Sequence, residues 1–121
     1  MEPLNLVVYN RDPGTAQTLA ASLSQHFDSV SLAGEYKEIR STVARNRADI
    51  LILDLETSQS GELGRLHREF PALCIVGTHR LADEKLWAEA LDQGAADVCM
   101  PLHDDVLRSV LRERTQRAAA A

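Results

Sequence analysis

Short apolar runs alternate with amphipathic stretches from one end of the chain to the other. LNLVVY at 4–9 reads as a buried strand. PGTAQTLAASLSQHF then opens on Pro-Gly and sets Ala16, Leu19, Ala20, Leu23 and Phe27 at helical spacing. SVSLAG predicts a short strand with Val30 and Leu32 on one face, and EYKEIRSTVARN a helix turning Tyr36, Ile39 and Val43 inward. DILILDLE at 49–56 is the clearest strand: its five apolar residues are interrupted only by Asp54, as suits a parallel strand covered on both faces. GELGRLHREF predicts a short helix broken by Gly64, and ALCIVGT a fourth strand. DEKLWAEALDQG is helical, with acids at its start, Gly94 just past its end, and Leu86, Ala90 and Leu91 as the buried stripe. ADVCM is a last strand stopped by Pro101. HDDVLRSVLRERTQR is a last helix with Val106, Leu107, Val110 and Leu111 as its apolar stripe.

Five strands alternating with five helices imply an α/β fold, a doubly wound five-stranded parallel sheet with helices on both faces. In such sheets the functional crevice lies beyond the carboxyl ends of the strands. That rule singles out Asn10, Arg11 and Asp12 after the first strand, Asp54 at the end of the third, Thr78 after the fourth and Met100 after the fifth. No segment repeats. The closing AAAA at 118–121 reads as the start of a helical linker, which bounds the domain at 1–117.

At 121 residues the chain is long enough for one core and too short for two. A net charge of -5 argues against nucleic-acid binding, which calls for clustered Lys and Arg. Arg108, Arg112, Arg114 and Arg117 therefore read first as a solvated helix face. The N-terminus lacks the pattern of a signal peptide, and no apolar run approaches the ~20 residues of a membrane span. Cys74 and Cys99 fall on adjacent predicted strands and read as buried reduced thiols, so the cytoplasm is the expected compartment. His26, His67, His79 and His103 lie in four different segments with no metal-binding spacing. No glycine-rich nucleotide fingerprint follows the first strand and no nucleophile–base pair is evident, so an enzyme is not expected.

Read together, LVVYNRDP, ADILILDLE, CIVGT, EALDQGAADV and MPL resemble the receiver domain of two-component response regulators, over essentially the whole chain. The resemblance implies a flavodoxin-like sandwich in which Asp54 matches the phospho-accepting acid and Thr78 the switch hydroxyl. It also implies a magnesium ion held by two acids after the first strand, where this chain carries Asn10 and Arg11. Met100 falls where the family's lysine should stand, and Val98 where a swinging aromatic is usual. The segment from Asp54 to Thr78 is shorter than in the family.

Magnesium needs hard oxygen ligands, and an arginine at a ligand position repels a dication. A guanidinium there would instead neutralise the acid directly, so Arg11 is expected to pair with Asp54. The reading is a degenerate receiver, or pseudoreceiver, that works without phosphorylation, metal or cofactor. In the family the fourth helix, fifth strand and fifth helix form the usual partner or dimer face, which here carries Trp87, Arg108 and Arg112. Trp87 reads equally as a partly covered core residue or as an anchor for a partner. The GAADVCMPLHDD ending is similar to the atypical receivers that precede MinD/ParA-type ATPases of Flp pilus assembly. The alternative is a working phosphoacceptor at Asp54, with Asp12 and Asn10 improvising a magnesium site.

Overall fold

The computed structural model describes residues 3–57 and 61–120. Residues 1, 2, 58–60 and 121 lie outside that description, and with them part of the N-terminal reading, part of the loop before the third helix and the end of the expected linker.

Strands β1 (Asn5–Tyr9), β2 (Ser29–Leu32), β3 (Ile50–Asp54), β4 (Cys74–Thr78) and β5 (Asp97–Cys99) alternate with five α-helices. These are α1 (Pro13–Leu23), α2 (Ile39–Asn46), α3 (Glu62–Glu69), α4 (Glu84–Asp92) and α5 (His103–Ala120). The strands form one parallel sheet in the order β2-β1-β3-β4-β5. Side chains alternate across each strand, so every central strand feeds two cores. Leu6, Val8, Ile50, Ile52 and Val76 pack against Leu19, Leu23, Val106 and Val110 of α1 and α5. Val7, Tyr9, Leu51, Leu53 and Ile75 pack on the other face against Ile39, Val43, Leu63, Leu66 and Ala90 of α2, α3 and α4. Each fully buried Leu, Ile or Val of these two layers is worth about 1.5–3 kcal/mol of removal from water, which is what seats the helices.

Several local expectations need correction. Helix α1 ends at Leu23, not Phe27: Ser24 closes it by donating its amide and hydroxyl to the Ala20 carbonyl, and a turn brings Phe27 into the core. Val30 packs inward, but Leu32, at the outer end of the edge strand, stays 41% exposed. The second helix begins only at Ile39, after a 3-10 turn at Tyr36–Glu38 that sets Tyr36 edge-on to Tyr9. Gly64 does not break α3. It lies buried inside the helix, where its amide donates to Gln93 Oε1 at 3.3 Å.

In α4 the buried stripe is Ala90 with Trp87, while Leu86 and Leu91 are 39% and 49% exposed. The rotation of this short helix is set by its ends: Asp83 caps it through the Lys85 and Leu86 amides, and the Trp87 indole donates to the Leu81 carbonyl. Cys74 and Cys99 do lie on neighbouring strands, but Cys74 pairs with Ile50 at one end of β4 and Cys99 with Thr78 at the other. Helix α5 continues past Arg117 to Ala120, and Arg117 ties it to the base of the sheet through Asp49 Oδ1 at 3.1 Å. No helix among the described residues is long and apolar enough to cross a membrane.

Candidate functional site

Asp54 ends β3 at the carboxyl edge of the sheet, directly beside Thr78 in the β3–β4 register. Only 1% of it is exposed. A buried carboxylate must find donors, and here two backbone amides supply them. Arg11 N–H donates to Oδ2 at 3.0 Å and Glu56 N–H to Oδ1 at 2.9 Å. The Thr57 hydroxyl adds a longer bond to the Asp54 carbonyl at 3.4 Å. The acid thereby binds the chain leaving β1 to the chain leaving β3.

The expected Arg11–Asp54 ion pair is not formed. Arg11 is exposed, and no guanidinium–carboxylate contact within 4.0 Å joins the two residues. The cause is the turn on either side of it. Asn10 Oδ1 accepts the Asp12 amide at 2.9 Å. Asp12 caps α1 through the Thr15 amide at 3.1 Å and the Thr15 hydroxyl at 2.6 Å. That turn aims the backbone N–H of Arg11 at Asp54 and leaves its side chain outside. The Thr15 hydroxyl, followed by its amide, also holds the Asp12 carboxyl below its ordinary range.

Thr78 is equally buried and its hydroxyl donates to the Leu53 carbonyl at 3.5 Å. Met100, half-buried after β5, offers a thioether where a cation was expected. Val98 is buried in the core on the α4 side. Magnesium of the kind the resemblance implies needs several hard oxygens converging on one point. Asn10 and Asp12 commit oxygens to the local turn, and Arg11 adds a cation. Among the described residues no group of three or more His, Cys, Asp or Glu gathers to hold a metal. This donor set does not fit magnesium.

Two residues that the sequence reading passed over stand at the same crevice. Glu56 and Arg80 form an ion pair across it, with Arg80 Nε at 3.0 Å from both carboxylate oxygens. Arg80 holds the Glu56 carboxyl below its ordinary range. It is the β3–β4 register that makes them partners: each residue lies two positions past a register-paired strand end, Asp54 and Thr78, with opposite charge. Leu55 and Gly77 were also missed. The Leu55 side chain lies over Gly77, where a Cβ would come within 2.6 Å of Leu55 Cδ1, and the Leu55 amide donates to the Thr78 carbonyl at 2.9 Å.

The expected interaction residues sit away from this crevice. Trp87 is half-buried against the α4-side core, with its indole bonded to the Leu81 carbonyl at 3.1 Å. Arg112 leans on Asp97 at 3.3 Å, together with the Ser109 hydroxyl, and so stitches α5 to β5. Arg108 stays exposed, 3.6 Å from Asp105 one helical turn away. The histidines remain dispersed: His79 accepts the Leu81 amide, His103 contacts the Ser22 hydroxyl, and the His67 ring lies against Gly94.

No protein-family model and no curated protein sequence matches the chain. Solved structures match it along nearly its whole length. A receiver domain protein (CheY-like) from Methanospirillum hungatei superposes with a TM-score of 0.85 at 14% identity, covering 99% of this chain and 100% of that one. A CheY-like protein (tadZ) from Pseudomonas aeruginosa gives a TM-score of 0.72 at 23% identity, covering 92% and 93%. A protein from Burkholderia pseudomallei described as pilus assembly-related gives 0.74 at 24%, covering 97% and 90%. At these identities the likeness speaks for the fold, and the fold is that of a response-regulator receiver.

Proposed function

We propose that this chain is a receiver-like regulatory domain that acts through protein–protein contacts, by binding a partner or a second copy of itself, without a phosphorylation cycle. The observation that carries this reading is Asp54: both carboxylate oxygens are engaged by backbone amides, and the acid is almost wholly buried. Such an acid works, on this reading, as a clamp for two loops, and Arg11 and the thioether of Met100 stand where the family's metal-binding acid and lysine would be. On this reading the domain is not an enzyme, needs no cofactor, inserts in no membrane, binds no nucleic acid itself and works in the cytoplasm.

The face formed by α4, β5 and α5 is the proposed contact surface. Helix α4 exposes Leu86 and Leu91 among Glu84, Glu89 and Asp92, whereas α5 exposes Arg108, with Arg112 beside its Asp97 partner. Acid on one helix and base on the next suits a two-fold pairing that lays α4 of each copy against α5 of the other. One of the similar structures is described as pilus assembly-related. That description supports a role in pilus assembly, and the GAADVCMPLHDD ending extends the reading to the placing domain of a MinD/ParA-type ATPase. The runner-up reading, a phosphoacceptor at Asp54, draws on the register that sets Asp54 beside Thr78.

Intact-mass spectrometry and light scattering after incubation with acetyl phosphate and magnesium test the choice. The expected result is no mass gain and no change in association state. A phosphoryl adduct that Asp54→Ala abolishes would overturn the proposal in favour of the phosphoacceptor.

A further inference from the structure

Glu56 and Arg80 belong to different loops, those that follow β3 and β4. Arg80 Nη2 lies 3.0 Å from Glu56 Oε1, in addition to the two Nε contacts, so the guanidinium grips both carboxylate oxygens. The Glu56 side chain is mostly covered, whereas that of Arg80 is 63% exposed. On its inner side this pair is rooted in the buried acid, because the Glu56 amide is the donor to Asp54 Oδ1. On its outer side the next residue is Leu81, whose carbonyl receives the Trp87 indole and whose amide donates to His79 Nδ1 at 3.0 Å. A continuous bonded course therefore runs from Asp54 to the surface of α4.

We infer that the Glu56–Arg80 ion pair is a clasp that fixes the loop between β4 and α4, and that through Leu81 it sets the seat of Trp87 on the α4 face. The inference rests on the reading above, in which no phosphoryl group governs that loop. A permanent charge pair between the two loops selects one arrangement of the chain entering α4. An exposed pair of this kind contributes little to global stability. Its effect is local: without it the loop opens more often while the sheet stays folded.

Hydrogen exchange of the 79–87 amides and Trp87 emission test this in the whole chain, with Glu56→Gln, Arg80→Gln and the swapped Glu56→Arg/Arg80→Glu. Each single variant is expected to speed exchange at Leu81, Lys85 and Leu86 by about two- to fivefold and to shift Trp87 emission, with β1 and β3 protection unchanged. The swap is expected to restore both. Raising the salt should move the wild type toward the single variants and leave those variants where they are. Wild-type exchange and emission in both single variants would overturn the clasp, as would a swap that restores neither. Should a single variant lose the protection of the sheet itself, the salt series on the wild type decides, and a loop indifferent to salt overturns the inference. All arms run without phosphodonor, so phosphorylation of Asp54 in the earlier test would sink that reading and leave these outcomes separately legible.

Discussion

The backbone amide of Arg11 stands 3.0 Å from Oδ2 of Asp54, while the guanidinium of the same residue lies in solvent. The acid thus contacts Arg11 through a group that every residue but proline carries. Removing the acid strands two amides, those of Arg11 and Glu56, near the top of the sheet. Asp54→Ala should cost about 2–4 kcal/mol by urea unfolding, the sum of two charge-assisted bonds partly regained from water. Asp54→Asn keeps one acceptor and should cost roughly half of that. Arg11→Ala should stay within about 0.5 kcal/mol of the wild type. A loss from Arg11→Ala as large as that from Asp54→Asn would show that the guanidinium matters after all.

Gly77 is required by Leu55, the first residue past β3. A Cβ at this position would lie 2.6 Å from Leu55 Cδ1 and 2.9 Å from its Cγ. Leu55 cannot retreat freely, because its amide is held by the Thr78 carbonyl. Gly77→Ala should therefore destabilise the chain by about 1–3 kcal/mol, the usual cost of overpacking. Shortening the neighbour in Gly77→Ala/Leu55→Ala should make the two costs less than additive. Strict additivity in thermal or urea unfolding would mean that the two side chains do not compete for that space.

The strand and helix order was legible because buried parallel strands leave continuous apolar runs, as in ILIL before Asp54, between helices of different period. What failed depended on geometry that no period encodes. The buried stripe of α4 was misread because Asp83 and the Trp87–Leu81 bond set the helix rotation, which buries Trp87 rather than Leu86. Arg11 was misread because the turn built by Asn10 and Asp12 decides which of its donors faces Asp54. Glu56 and Arg80 become partners only once the β3–β4 register is known. The strand-end positions of Asn10, Arg11, Asp54 and Thr78 could be read in the chain, then, but not the Glu56–Arg80 partnership, nor which atom of Arg11 meets Asp54.

Acid should weaken the Glu56–Arg80 pair with a definite sign. The hydrogen bonds and charge of Arg80 hold the folded-state carboxyl of Glu56 below its ordinary value of 4.5. A depressed carboxyl contributes stability that is fully present above that value and is lost as the pH falls through the folded-state one. In Trp87 emission followed from neutral pH downward, the wild type should lose the paired arrangement of the loop below the ordinary carboxylate range. Glu56→Gln should change less over the same interval. Parallel curves for the two proteins would remove Glu56 from the acid response.

The two thiols should be slow. Burial first, with the Glu113 carboxylate second, pushes Cys74 up to about 12, and burial with Asp97 does the same to Cys99. Reaction proceeds through the thiolate, so native alkylation at mildly alkaline pH should run far slower than in urea. It should rise to the unfolded rate only through opening of the chain. Mild oxidation should give no intramolecular disulfide, since the two residues occupy opposite ends of β4. Rapid native labelling of either thiol would mean that α5 does not cover that thiol as described.

Trp87 can be assigned to core or to interface by comparing two substitutions. Its ring packs against the core on the α2, α3 and α4 side of the sheet, and its indole N–H is spent on the Leu81 carbonyl. A core role predicts that Trp87→Ala costs about 3 kcal/mol, and that Trp87→Phe, which keeps most of the packing and loses one hydrogen bond, costs about 1 kcal/mol. Neither change should alter self-association beyond what the lost fold explains. An anchoring role predicts the reverse: little effect on unfolding and a large fall in association by light scattering, since exposed aromatic anchors dominate interfaces. The half-buried ring and committed indole favour the first outcome. Exposed Leu86 and Arg108 would then carry the contact, and Leu86→Glu should abolish association while leaving the urea midpoint nearly unchanged.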